Sequence, residues 1–140
     1  MIDDIQIKEI NAADTWPLRQ RVMWPEKPIQ AVKLADDDIG NHYGLFKNGQ
    51  LVAVVSLFIK AKEAQFRKFA TETAEQGNGY GTKLLLHLLQ IARQNRVGLL
   101  WCNARIDKLP FYSRFGMLET GIKSAKDGIE YMRMQKQLQE

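Results

Sequence analysis

Residues 75–89 read EQGNGYGTKLLLHLL, with Gly77, Gly79 and Gly81 crowded directly ahead of a leucine-rich stretch. Glycine costs about 0.5–1 kcal/mol relative to alanine inside a helix, so glycines gathered at the head of one need a reason. A helix start carries unpaired N–H groups and partial positive charge. With no side chains in the way, an anion such as a phosphate can approach that backbone. The alternative is a simple turn, with Asn78 as the helix cap. Either way the chain must break and then run helical, from about Gly79 to Arg96. Leu84, Leu85, Leu88 and Ala92 fall on one face of that helix, and Lys83, His87, Gln90 and Gln94 on another.

The flanking segments define a mixed α/β fold. IQIKEI (5–10) alternates like a half-buried strand. DTWPLRQRVMW (14–24) reads as a short helix capped by Asp14, with Pro17 in its first turn. Residues 25–40 hold two prolines and DDD (36–38), and read as loop or short irregular helix. Residues 42–60 form a hairpin turning at Asn48-Gly49. Its second arm, LVAVVSLFI, is apolar on both parities, as a central strand is. EAQFRKFAT (63–71) is a strand whose alternation slips between Phe66 and Phe69, which suggests a bulge. After the helix come a buried strand (99–104), a short helix (107–116) and two closing strands joined at Asp127-Gly128. Strands alternate with helices only in the second half, so the sheet is mixed rather than purely parallel.

At 140 residues, 45% hydrophobic and 26% charged, the chain is expected to form one domain over 1–140. A net charge of +4 without a basic run argues against nucleic acid, while leaving room for an anionic ligand. Cys102 is the only cysteine, so no internal disulfide and no cysteine-based zinc site can form, and no metal is expected. MIDDIQIKEI is unlike a signal peptide, and no apolar run reaches membrane length, so a cytoplasmic protein without membrane contact is expected.

Two familiar phosphate motifs fail on this sequence. The P-loop needs Gly-Lys-Ser/Thr where the chain has Gly81-Thr82-Lys83, and the dinucleotide fingerprint needs a glycine where Thr82 stands. QGNGYG (Gln76 to Gly81) instead resembles the Q/R-x-x-G-x-G/A signature of the GNAT superfamily of N-acetyltransferases. LLWCNARIDKLPFYSRFGM resembles the later strand and helix of that superfamily, which often end in F-Y-x-x-x-G-F. RQRVMWPEKP and HYGLFKNGQLVAVVSLF resemble the early segments of its small bacterial single-domain members.

The resemblance implies a largely antiparallel sheet of about seven strands, flanked by about four helices and splayed between strands 4 and 5. It implies acetyl-CoA as cosubstrate, with the pyrophosphate on Gln76, Gly77, Asn78, Gly79, Tyr80, Gly81 and Thr82. The pantetheine arm would pair with Phe69, Ala70 and Thr71; Asn103 and Arg105, where the fold would splay open, are either contacts to CoA or substrate or a plain polar pair at a strand end. Tyr112 matches the tyrosine that protonates the departing thiolate; from the residues alone it reads first as an ordinary core aromatic beside Phe111. The base is open. Glu72, Glu119 and Glu130 are candidates, and Glu130 stands where relatives carry a histidine.

The implied reaction is direct attack by a primary amine of a small molecule or peptide on the thioester, with a homodimer possible. A non-catalytic acyl-CoA sensor and a nucleotide-binding regulatory domain are the alternatives. Cys102, His42 and His87 read as structural or solvated, DDD as a solvated loop, and Trp16, Met23, Trp24 and Tyr43 as core or acceptor pocket.

Overall fold

The computed structural model describes residues 2–138. The elements run β1 (Ile5–Ile10), α1 (Ala12–Met23), β2 (Asn41–Lys47), β3 (Gln50–Lys60), β4 (Glu63–Thr71), α2 (Tyr80–Gln94), β5 (Leu99–Arg105), α3 (Leu109–Ser113), β6 (Leu118–Lys126) and β7 (Ile129–Gln137). Short 3-10 turns cover Ile29–Val32, Asp37–Ile39, Thr73–Glu75 and Ile106–Lys108. The strands form one sheet in the order β1-β2-β3-β4-β5-β7-β6. Every neighbouring pair is antiparallel except β4 and β5. Among the described residues three α-helices flank the sheet rather than about four, and 25–40 holds two short 3-10 turns.

The sheet is covered on two faces. Leu84, Leu85, Leu88 and Ala92 of α2 are at most 1% exposed and pack on Val55, Leu57, Phe66, Leu100, Met132 and Met134. Each such leucine contributes about 1.5–3 kcal/mol of burial. Leu18 of α1 packs with Val54 and Ala70 on the other face. β3 therefore buries both parities because helices lie above and below it.

Under α1 sits a buried polar lock. Arg19 is fully buried and donates to both oxygens of Asp37 (2.9 and 3.0 Å), to the Val32 carbonyl (3.0 Å) and to Ser56 Oγ (2.9 Å). Asp37 Oδ2 also accepts from the Trp16 indole (3.0 Å) and the Leu34 amide (3.0 Å). His42 is buried, with one ring nitrogen 2.6 Å from Ser56 Oγ and the other 2.9 Å from the Asp37 carbonyl. Burial works to raise the Asp37 carboxyl, but these hydrogen bonds and the Arg19 charge outweigh it and bring it down to about 2.

DDD is thus not simply a solvated loop: Asp37 is an anchor, and Asp36 accepts from Arg67 at 3.1 Å. α1 also begins earlier than expected. The Asn11 amide donates to Asp14 Oδ2 (3.1 Å), so Asp14 closes the first turn from inside and Pro17 lies in the helix interior.

Candidate active site

β4 and β5 pair over only three positions, Glu63–Leu99, Ala64–Leu100 and Gln65–Trp101. The cause of their parting lies in β4. Val54 faces Ala70 and Ser56 faces Arg67, so Val55 alone stands opposite both Lys68 and Phe69. Lys68 takes a left-handed conformation (φ 56°), as the extra residue of a bulge does. Beyond the bulge the strands separate around a cleft of about 650 Å³.

One end of the cleft is the glycine turn. Gly77 and Gly79 have φ of 87° and 81°, and a Cβ at either would meet nothing within 4 Å. Gly79 is the residue before α2, and no side chain caps the helix. Asn78 donates to the Glu75 carbonyl instead (3.3 Å), so it is not the cap. The Lys83 amide bonds the Gly79 carbonyl (3.1 Å), so the amides of Tyr80, Gly81 and Thr82 precede the helical ladder. Gln76 Nε2 donates to the Thr71 carbonyl (3.1 Å) and ties the turn to the end of β4. A Cβ on Gly81 would lie 3.5 Å from the Phe69 ring and 3.7 Å from Thr71 Oγ1. Bare amides, open space and a positive helix end fit a pyrophosphate chemically.

The same cleft reaches Tyr112 on α3. Its ring packs against Phe111 (5.2 Å between centroids), Phe66 (5.7 Å) and Phe69 (6.4 Å). Burial holds its hydroxyl well above the ordinary phenol range, so it stays protonated and able to donate. α3 itself is shorter than its sequence suggested, because Ile106–Lys108 forms a 3-10 turn first and Gly116 (φ 85°) ends the segment.

Phe69, Ala70, Thr71, Gln76, Gly77, Gly79, Tyr80, Gly81, Thr82, Asn103 and Tyr112 all line the cleft; Asn78 lies in the turn without forming its wall. Glu72 follows β4 and is gripped by Arg21, whose guanidinium donates at 2.6 and 3.3 Å. Glu130 is exposed on β7 beside the wall residue Tyr131, and neither it nor Glu72 forms the wall. Met23 is part of the wall, whereas Tyr43 sits in the α2-side core. Cys102 is buried in the floor, and burial pushes its thiol up to about 12, which leaves it protonated and unreactive.

Lys68 is the residue that motif reading missed. It lines the cleft, and desolvation, followed by the fields of Arg19, Arg67, Lys126 and Arg105, lowers its ammonium to about 8. The slip in β4 alternation was its only signal in the sequence.

Several known proteins are similar to this chain in sequence or in fold. The uncharacterized N-acetyltransferase YitI of Bacillus subtilis (strain 168) is 27% identical over 126 residues, covering 84% of this chain and 85% of YitI. ElaA of Escherichia coli superposes with a TM-score of 0.81 at 19% identity, covering 96% of this chain and all of ElaA (100%). A GNAT family acetyltransferase from Elizabethkingia anophelis, with acetyl-CoA bound, superposes with a TM-score of 0.76 at 16% identity, covering 96% of this chain and 98% of that one. The family profile for the acetyltransferase (GNAT) domain matches residues 26–138, and so takes in the bulge, the glycine turn and Tyr112 together. The chain belongs to the GNAT family of acetyltransferases.

Proposed function

We propose that this enzyme moves an acetyl group from acetyl-CoA to a primary amine by direct attack. The observation that carries this reading is that one cleft joins a bare helix N-terminus to a half-buried tyrosine whose hydroxyl desolvation keeps protonated. Acetyl-CoA supplies the activated thioester. The amides of Tyr80, Gly81 and Thr82 would hold its pyrophosphate, and the ends of β4 and β5, no longer paired, leave backbone groups for its pantetheine arm. The backbone N–H groups at the bulge are suited to polarise the thioester carbonyl. Tyr112 would then give its proton to the departing sulfur.

Glu72 is the best placed of the three candidate carboxylates for taking a proton from the amine, directly or through water. It directly follows the wall residue Thr71 and Arg21 fixes its position, whereas Glu119 on β6 and Glu130 on β7 are exposed outside the wall. We place the enzyme in the cytoplasm as a single-domain protein.

The test is a thiol-release screen of acetyl-CoA against a panel of amines, followed by Tyr112→Phe. The variant should retain acetyl-CoA binding by calorimetry and lose about 10²-fold or more in kcat. A Tyr112→Phe enzyme with unchanged kcat would remove the tyrosine from the chemistry. Acetyl-CoA binding with no amine turned over would favour a sensor, and tighter binding of ATP than of acetyl-CoA would favour a nucleotide-binding domain.

A further inference from the structure

The cleft carries more positive charge than a pyrophosphate at the glycine turn needs. Arg67, Lys68, Arg105, Lys108 and Arg114 line it against a single carboxylate, Glu75. That carboxylate is already held by Lys47 at 3.1 Å, and Arg67 is held by Asp36 at 3.1 Å. Among the described residues no carboxylate pairs with Lys68, Arg105, Lys108 or Arg114.

These four cations fall into two groups. Lys108 and Arg114 flank α3, the helix that carries Tyr112. Arg105 belongs to the opposite face of the sheet. On β5, Leu100, Cys102 and Ala104 point into the α2-side core, so Trp101, Asn103 and Arg105 project from the other face by strand alternation. α1 covers that face over β2, β3 and β4, beside the splay. Lys68 sits at the bulge, three residues before Thr71, whose side chain borders Gly81. That puts it about 10 Å along the strand from the glycine turn.

Arg105 also has an unsatisfied donor. Its Nη2 is buried from solvent and makes no hydrogen bond within the protein. A buried charged donor without a partner costs several times what an ordinary hydrogen bond contributes. Opposite Arg105 across the β5–β7 ladder is Tyr131, another wall residue with a polar tip. Lys68 shares the discomfort: it is desolvated, lies in the fields of Arg19, Arg67, Lys126 and Arg105, and lines the same cleft as Arg105. An anionic group between Lys68 and Arg105 would relieve both.

From this arrangement we infer that the acceptor is an amine that also carries an anionic group, a carboxylate or a phosphate, held by Arg105 and Lys68 on the α1 side of the splay. The inference rests on the acetyltransferase reading given above. It makes Arg105 and Lys68 residues of acceptor specificity, separate from the glycine turn that would hold the cofactor. Lysine and cadaverine, phenylalanine and phenethylamine, and phosphoethanolamine and ethanolamine form matched pairs with and without the anion. Each is titrated into CoA-saturated protein by calorimetry, and each is assayed for thiol release from acetyl-CoA.

The expected result is at least ten-fold tighter binding, and higher kcat/KM, for the anionic member of at least one pair. The carboxylate and phosphate pairs identify which anion is preferred. Arg105→Gln should erase that preference, as loss of one charge-assisted hydrogen bond is worth about ten- to hundred-fold. Arg105→Lys should restore part of it, and Lys68→Met should weaken it in a protein that melts normally. Acetyl-CoA affinity should not change in any of the three.

The inference is overturned if no pair prefers the anion, if neither member of any pair binds, or if Arg105→Gln weakens acetyl-CoA rather than the acceptor. Failure of acetyl-CoA itself to bind wild-type protein would instead refute the acetyltransferase reading, and it is read in a separate titration.

Discussion

Gly79 and Gly81 are two residues apart, yet an alanine at each should act in opposite directions on stability. Gly79 has φ 81°, a conformation that costs an L-residue about 1–2 kcal/mol, although nothing would touch the new methyl. Gly79→Ala should therefore lower the melting temperature by roughly 3–6 °C for a chain of this size. Gly81 lies inside the first turn of α2 with an ordinary φ. Its methyl would make normal van der Waals contact with Phe69 and Thr71, at 3.5 and 3.7 Å. Alanine is favoured over glycine in a helix by about 0.5–1 kcal/mol, so Gly81→Ala should raise the melting temperature by roughly 2–3 °C.

Both methyls, however, would stand over the amides that precede the α2 ladder. Loss of one charge-assisted hydrogen bond to a phosphate costs about 1.5–3 kcal/mol, so both variants should bind acetyl-CoA about ten- to hundred-fold more weakly. Thermal melts with and without acetyl-CoA, together with calorimetry, separate the two effects. A stabilised Gly81→Ala protein with wild-type affinity would refute the cradle. A destabilised one would show that the packing beside Phe69 is tighter than ordinary contact.

Asp37→Asn should cost about 3–5 kcal/mol, because it strands the fully buried Arg19 charge, and denaturant melts would detect it; a loss below about 1 kcal/mol would refute the role of the lock. The folded Asp37 carboxyl titrates near 2, below its unfolded value, so the lock is fully in force above about pH 4 and its stabilisation is lost as pH falls through 2; the Asn variant should lack this acid limb. Glu72→Gln should lower kcat at neutral pH and change the pH–rate profile without altering acetyl-CoA affinity; an unchanged profile would take Glu72 out of proton transfer. Lys68 loses its proton near pH 8, well below the ordinary lysine value, so KM for an anionic acceptor should rise as pH climbs through 8, and Lys68→Met should flatten that rise.

The fold was largely legible because its signals are local. The Asn48-Gly49 turn, the leucine face of α2 and the double-sided apolar run of β3 each depend on neighbours within a few positions. The slip between Phe66 and Phe69 located the bulge. Asp37 was misread as solvated because its burial depends on Arg19, 18 residues away, and on a loop folded under α1. Lys68 went unnoticed for a related reason: a lysine in a strand looks solvent-facing until the bulge turns it into a cleft. Glu130 and Glu72 could be told apart only in three dimensions, where alternation on β7 sets Glu130 beyond the wall and Arg21 fixes Glu72.

The three-residue seam between β4 and β5 has a further consequence for how the chain assembles. β1 to β4 form one antiparallel unit and β5 to β7 a second, joined by that seam, by α2 and by the α3 aromatics that pack on β4. The β2–β3 and β3–β4 pairs close through tight turns, whereas the seam closes across α2 as the β1–β2 pair closes across α1. The groups proposed for the site come from both sides of the seam, so no half-assembled chain can hold all of them.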